Sequence, residues 1–595
     1  MKKLLKKTTR TITFLLALLM LFASCNLFGG EEDTAESTAD TNSLPETQDF
    51  TLSDFQLVRP DKGASDEVKE AALELNRVIK AYLGKSLMIR TDYRADDETP
   101  CEILIGGTTR SQSQTAIDSL KDGDYIIKTY ATENGSKIVL CGSNDTLTVS
   151  AVHAFIELIE ENKVEKDGKI KTFMFKENLY SIYSNYTLSM SDPIVIAKGE
   201  TYEELGWGPY QFPNLFYTTK GSIICRWHNS NDKFYGGTTF NIPTSAVSDD
   251  GGLTWRTKTD ADVLSPVSNW PLMSNGKYFA GFSGQGTYEV DFDLSKYTPV
   301  IADTDGGTTL YRASDVTEYQ PTVSINEYDP TTGKTTTYPC IVNWPNMPLD
   351  IFHENGKDVV YPLSKVMTIS AIYGMMSIGD DLYYCTYARG FDLKTGAADA
   401  FSKYFSIYVF KSSDCGRTWD CISRVPINRS IVNESLNHKG DLEGFCEPDM
   451  TLMRDGSVVM LIRTGGNQPC YIVRSIDNCQ TWSAPKKFDE VGVLPNIISL
   501  GCGVTLASYG REGLFLRSTS DATGMKWKDA QEIELSSFGE GKKTYLSCYY
   551  THFLALDDHT VLWVYTDFYY SDTGKAADAS KCVIARIITV EPVAD

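Results

Sequence analysis

Ser248-Asp249-Asp250-Gly251-Gly252-Leu253-Thr254-Trp255 reads S-x-D-x-G-x-T-W, and Ser412-Ser413-Asp414-Cys415-Gly416-Arg417-Thr418-Trp419 reads the same way. Ser475-Ile476-Asp477-Asn478-Cys479-Gln480-Thr481-Trp482 differs only by a cysteine in place of the glycine, and residues 518–527 keep Asp521, Gly524 and Trp527. At average residue usage one perfect copy is expected by chance in roughly one chain in ten thousand. The physical reading is a β-hairpin turn. Ser and Asp side chains bond the turn backbone, Gly takes φ > 0, and Trp packs beneath the loop. The pattern speaks for architecture, not for chemistry.

Working outward, the region from about residue 183 consists of short β-runs separated by Gly, Asn and Asp turns, with almost no helical period. The gap between the first two boxes leaves room for one box-less unit and an insertion, for which Thr298 to Pro362, rich in Thr, Tyr and Pro, is expected to supply a loop or extra hairpin. The last strand-like run, Cys582 to Val590, and the first, Tyr183 to Ser189, are expected to share one sheet. Residues 50–180 instead alternate strand and helix. Asp66 to Leu83 reads as a helix with apolar Val68, Ala71, Ala72, Leu75, Val78, Ile79 and Leu83 on one face, and Thr146 to Glu161 as a second.

At 595 residues the chain is too long for one ordinary core, and two or more domains are expected. A net charge of −22 with no basic stripe excludes a nucleic-acid partner. Residues 1–25 read as an export signal, with Lys2, Lys3, Lys6, Lys7 and Arg10 ahead of an apolar run from Ile12 to Phe22. Leu21-Phe22-Ala23-Ser24-Cys25 resembles a bacterial lipobox, whose cysteine is diacylated after cleavage. Residues 26–49, rich in acidic and small polar side chains, read as a disordered linker. An exported bacterial lipoprotein is expected, a monomer anchored to a membrane through Cys25 and facing the outside of the cell or the periplasm. The thirteen other cysteines form no CxxC pair and read mostly as small core hydrophobes, with room for one or two disulfides. Six scattered His and no HExxH leave no metal site and no cofactor expected.

The four boxes resemble the Asp-box of the sialidase (neuraminidase) superfamily, which sits on the outer turns of β-propeller blades. The resemblance implies a mainly β chain, with a six-bladed propeller over 181–595. Glu102-Ile103-Leu104-Ile105-Gly106-Gly107-Thr108-Thr109-Arg110 looks like the small α/β accessory domain ahead of α-glucuronidase and β-hexosaminidase catalytic modules, here over 50–180. In the superfamily the site lies on the face opposite the boxes, near the axis.

Residue by residue, Glu447-Pro448-Asp449-Met450 followed by Asp455-Gly456 and Arg463 is similar to a sialidase phrase. The likeness implies Glu447 as the group that polarises the nucleophile and Arg463 as a carboxylate-clamp arginine. Tyr550-Thr551-His552-Phe553-Leu554-Ala555-Leu556-Asp557-Asp558 resembles the phrase around the tyrosine nucleophile, and Arg511 lies where the third clamp arginine belongs. A phenol with a free pKa near 10 needs a partner base, here Glu447. The first clamp arginine is missing: Tyr210-Gln211-Phe212-Pro213 stands in place of Phe-Arg-Ile-Pro. Glutamine cannot grip a carboxylate with two charged bonds, which turns expectation away from ordinary sialic acid. Arg226 and Asp232 fall where the family has its acid/base loop, with Asp232 the candidate acid and Arg226 a substrate contact. The expected function is a cell-surface exo-glycoside hydrolase acting on a glycan with retention of configuration. The alternative is a non-catalytic glycan-binding lipoprotein.

Overall fold

The computed structural model describes residues 50–592 apart from 95–96, 121–123, 133, 163–168, 171–176, 182–185, 234, 260–269, 303–306, 370–373, 512 and 534–548. The export signal, Cys25 and the linker read from residues 1–49 lie outside the described residues.

Asp66–Leu83 is a helix because Val68, Ala71, Ala72, Leu75 and Ile79 recur at three- and four-residue spacing and bury one face. The Ser65 hydroxyl caps its start by accepting from the Val68 amide at 3.2 Å, and Gly84 at φ 74° ends it. It packs with the helix Asp145–Asn162 in one core with a six-stranded mixed sheet. The sheet runs Ile89–Thr91, Gln56–Arg59, Glu102–Ile105, Gly135–Gly142, Asp124–Thr132, Glu177–Ser181. The first three neighbour pairs are parallel and the last two antiparallel.

Beyond Tyr186 the chain is mainly β and divides into many small sheets. The first pairs Asn214–Tyr217, Ile223–Arg226, Ser245–Ser248 and Arg256–Thr257 in sequence order. The second has three strands, Tyr278–Ser283, Ser324–Asp329 and Lys334–Pro339. The third runs from Met375–Ile378 through Asp381–Ala388 and Ser406–Ser412 to Thr418–Val425, and Ile341–Asn343 adds a parallel edge. The fourth holds Leu442–Leu452, Val458–Gly465, Cys470–Ser475 and Lys486–Asp489; the fifth, Val493–Ser499, Thr505–Gly510, Leu514–Thr519 and Gln531–Glu532. The sixth joins both ends of this region. Thr551–Ala555, Thr560–Tyr570 and Ser580–Pro592 are completed by Tyr186–Met190 and Ile194–Lys198, both paired with the last strand. That is the sharing of one sheet expected from the terminal runs.

The boxes fold as their side chains dictate. In the first, the Ser248 hydroxyl accepts from the Gly252 amide at 2.8 Å, Asp250 accepts from the Thr254 amide at 2.9 Å, and the Trp255 indole donates to the Gly252 carbonyl at 3.0 Å. The second repeats this through Ser412, Asp414 and Trp419 at 2.8–2.9 Å. Glycine is needed twice over. Gly252 sits at φ 93°, and a Cβ there would lie 2.8 Å from Leu562 of the sixth sheet. In the third box Cys479 takes the same turn at φ 63° and buries its side chain.

The stretch from Thr298 to Pro362 is more than a loop or hairpin. Its strands Thr308–Arg312, Pro348–Glu354 and Lys357–Tyr361 form a separate four-stranded sheet with Tyr288–Glu289. Among the described residues no cysteine is bonded to another, and most are buried as apolar filler. No described helix is long and apolar enough to cross a membrane. The N-terminal sheet is tied to a turn of the fourth sheet, where Arg454 donates to Asp124 at 3.0 Å.

Candidate active site

Three short phrases build one structural position. Phe212-Pro213-Asn214 and Leu494-Pro495-Asn496 lie at the start of the first strands of the first and fifth sheets, and Glu447-Pro448-Asp449 in the middle of the fourth sheet's first strand. Proline has no N–H for a ladder, and register shifts accompany Glu447 and Leu494. The residue before each proline is turned into the left-handed region: Phe212 at φ 54°, Glu447 at 43°, Leu494 at 41°. Tyr549 at φ 47° does the same ahead of Tyr550-Thr551-His552 in the sixth sheet.

The polar residue that follows then reaches the next sheet. Asp449 accepts from the Ile497 amide at 2.8 Å and from the Asn496 amide group at 2.6 Å. Asn496 accepts from the Phe553 amide at 2.7 Å, and His552 Nδ1 accepts from the Leu215 amide at 3.2 Å. These bonds join the fourth, fifth, sixth and first sheets in order along their first strands. Two residues before Asp449, Asn496 and His552 stand the side chains of Glu447, Leu494 and Tyr550.

Glu447 is one of those side chains. One carboxylate oxygen accepts from Arg463 Nη1 at 2.6 Å and the other from the Leu494 amide at 2.9 Å. Arg463 Nη2 donates to Glu443 at 2.7 Å. Burial works against the Arg463 charge, but Glu447 and then Glu443 more than offset it and hold the guanidinium well above its usual range; Tyr550 is also among the groups acting on it. Leu494, whose amide donates to Glu447, packs in one apolar cluster with Tyr550.

Tyr550 is buried and stacks on Phe212, ring centroids 4.3 Å apart and planes 19° from parallel. Phe212 turns its edge toward His228 at 5.2 Å. His228 pairs through its backbone with Tyr210 and Gln211. Loss of water around its ring lowers its pKa, with Asp232 opposing and Lys365 adding. Asp232 itself is exposed, on a loop that touches Gly208 so closely that a Cβ on Gly208 would lie 2.6 Å from the Asp232 amide. Arg511 lies with its guanidinium 5.1 Å from the Trp207 ring, against Gly466 just past Arg463.

The sequence-derived candidates therefore occupy connected places. Glu447, Arg463 and Tyr550 form one group, Arg511 flanks it beside Gly466, and Asp232 reaches it through His228 and Phe212. Gln211 is fully enclosed, its backbone paired with His228, so its side chain faces protein rather than an open cleft. Arg226 is exposed at the end of its strand, 5.5 Å from the Phe216 ring. Glu443, Phe212 and Lys365 were not among the sequence-derived candidates. Only Phe212 carried a local signal, the repeated x-Pro-Asn/Asp phrase.

Backbone strain marks the same place. Among the described residues twelve non-glycine residues have positive φ. Four are Asn, which tolerates it, and Cys415 and Cys479 belong to boxes. The other six are Tyr210, Phe212, Glu447, Leu494, Arg511 and Tyr549, all in segments that build this site. Such conformations cost about 1–3 kcal/mol each and persist where the surroundings impose them.

No protein-family model matches the chain, and no curated protein does. Among solved structures it is similar to a protein of unknown function from Dyadobacter fermentans, at 15% identity over 68% of this chain and 99% of that one, with a TM-score of 0.42. A Hadza microbial sialidase is 13% identical over 63% of this chain, with a TM-score of 0.30, and the chain spans 65% of that enzyme's length. An α-L-arabinofuranosidase from Lactobacillus brevis is 12% identical over 49% of this chain and 94% of that one, with a TM-score of 0.23. Likenesses this distant assign no activity, and what the site can do is read from its own atoms.

Proposed function

We propose that the six sheets are the blades of a six-bladed β-propeller, with the α/β sheet over 50–180 as an accessory domain, and that the protein is a sialidase-like exo-glycoside hydrolase. The observation that carries this reading is the gathering of all six unexplained positive-φ residues around Glu447, Arg463 and Tyr550. Strain held in one place, on first strands tied blade to blade, is how a scaffold fixes reacting groups.

In this reading the Tyr550 oxygen attacks the anomeric carbon and its proton passes to Glu447. Asp232 protonates the leaving oxygen as the glycosidic bond breaks. Water then releases the sugar from Tyr550, with Asp232 taking the water's proton and Glu447 returning its proton to the Tyr550 oxygen, so configuration is retained. Arg511 and Arg226 position the substrate, and Arg463 holds Glu447. Anchoring through Cys25 places this activity at the cell surface. The enclosed Gln211, in the place of a clamp arginine, favours a second reading as a glycan-binding lipoprotein without turnover. A screen of the purified protein against fluorogenic sialosides, other acidic glycosides and neutral glycosides separates the two. Hydrolysis that disappears in Tyr550→Phe supports the enzyme, and binding without hydrolysis of any of them supports the alternative.

A further inference from the structure

Resting on that reading of the pocket as a sugar site, we infer that Glu443 sets the substrate class: it holds the second amino group of Arg463, withdraws that arginine from ligand binding, and so selects a terminal sugar without a carboxylate. Arginine recognises a carboxylate by offering two parallel N–H bonds from its planar fork. Here the fork is divided. Nη1 donates to Glu447 at 2.6 Å and Nη2 to Glu443 at 2.7 Å, on a side chain only 9% exposed. Two carboxylates already face one guanidinium, and a third from a ligand would meet excess negative charge.

The proposed chemistry uses Glu447 and has no step for Glu443. Glu443 is nevertheless fixed at its backbone, where its carbonyl accepts from the Phe405 amide at 3.0 Å, and its side chain is 40% exposed. It is therefore within reach of solvent while bound to a buried arginine. Of the other clamp positions, Arg511 is laid over the Trp207 ring at 5.1 Å, and the place of the first clamp arginine holds the enclosed, neutral Gln211.

The test is equilibrium binding, which needs no turnover. The full chain and its Glu443→Gln and Glu443→Ala variants are titrated calorimetrically with 2-deoxy-2,3-didehydro-N-acetylneuraminic acid and with its methyl ester, which has the same shape without the charge. The wild type is expected to bind the acid no tighter than the ester. Both variants are expected to bind the acid on the order of tenfold tighter than the wild type, the size of one charged hydrogen bond regained. A wild type that prefers the acid tenfold or more overturns the inference, and that comparison stands even if neither variant folds. Unchanged acid binding in folded variants overturns it too, absence of binding throughout included. Failure of every glycoside to be hydrolysed would reject the enzyme reading while leaving this affinity shift intact.

Discussion

Lowering the pH should open the seam between the sixth and first sheets before the rest of the protein yields, because a neutral histidine holds it. His552 Nδ1 accepts the Leu215 amide proton at 3.2 Å, and complete burial pushes its pKa from 6.5 down to about 3. In the unfolded chain the same imidazole titrates near 6.5. Between those values the unfolded state takes up a proton that the native state refuses. Stability is thus intact above pH 6.5 and falls as the pH drops toward 3, by about 1.4 kcal/mol per pH unit and on the order of 5 kcal/mol in all. Carboxylates titrate in the same range, so a variant must isolate this group. His552→Asn places there the side chain that Asn496 uses for the equivalent bond in the preceding sheet. Urea unfolding followed by tryptophan fluorescence from pH 7.5 to 4.5 gives the stability of each. The wild type should lose about 3 kcal/mol more than the variant between pH 6.5 and 4.5. Parallel curves would refute the argument. Since Tyr550 and Phe212 stack across this seam, activity should fall with it.

Gly251 and Gly252 test the box turn as a pair. Gly251→Ala meets open space at φ 78° and should cost about 1 kcal/mol, whereas Gly252→Ala also strikes Leu562 and should cost roughly 2–4 kcal/mol, read as thermal midpoints. Arg454→Ala removes the partner of the nearly buried Asp124 and should make residues 50–180 more susceptible to limited proteolysis, with the cleavage pattern of the β region beyond Tyr186 unchanged. Glu447→Gln should lower turnover roughly 10²–10⁴-fold with substrate binding retained, and full turnover would remove Glu447 as the base.

Local chemistry made the boxes and the Asp66–Leu83 helix legible, since a turn motif and a 3.6-residue period are each written within one short window. The insertion was not, because the strand Tyr288–Glu289 finds its partner in Lys357–Tyr361, some seventy residues away, across an intervening three-stranded sheet. At the site, Glu447, Arg463, Arg511 and Tyr550 are named through family phrases, and their roles are proposed. Glu443 was not legible, because its bond to Arg463 comes from the pairing of two strands rather than from neighbours in sequence. Gln211 shows the limit from the other side. Its identity marked a missing arginine, but only the fold encloses it and turns its side chain into protein. The repeat Phe212-Pro213-Asn214, Glu447-Pro448-Asp449, Leu494-Pro495-Asn496 was present in the sequence, and its three-residue length hid it until the strands were aligned in space.

The central claim is that Tyr550 is the nucleophile of a retaining glycosidase. Its most direct test is to incubate the protein with activated fluorosugars, both neutral and acidic, whose glycosyl-enzyme intermediates break down slowly, and to map the adduct by peptide mass spectrometry. The account predicts one sugar per chain on the peptide that carries Tyr550, absent in Tyr550→Phe. An adduct on a different side chain, or undiminished turnover by Tyr550→Phe, would contradict it.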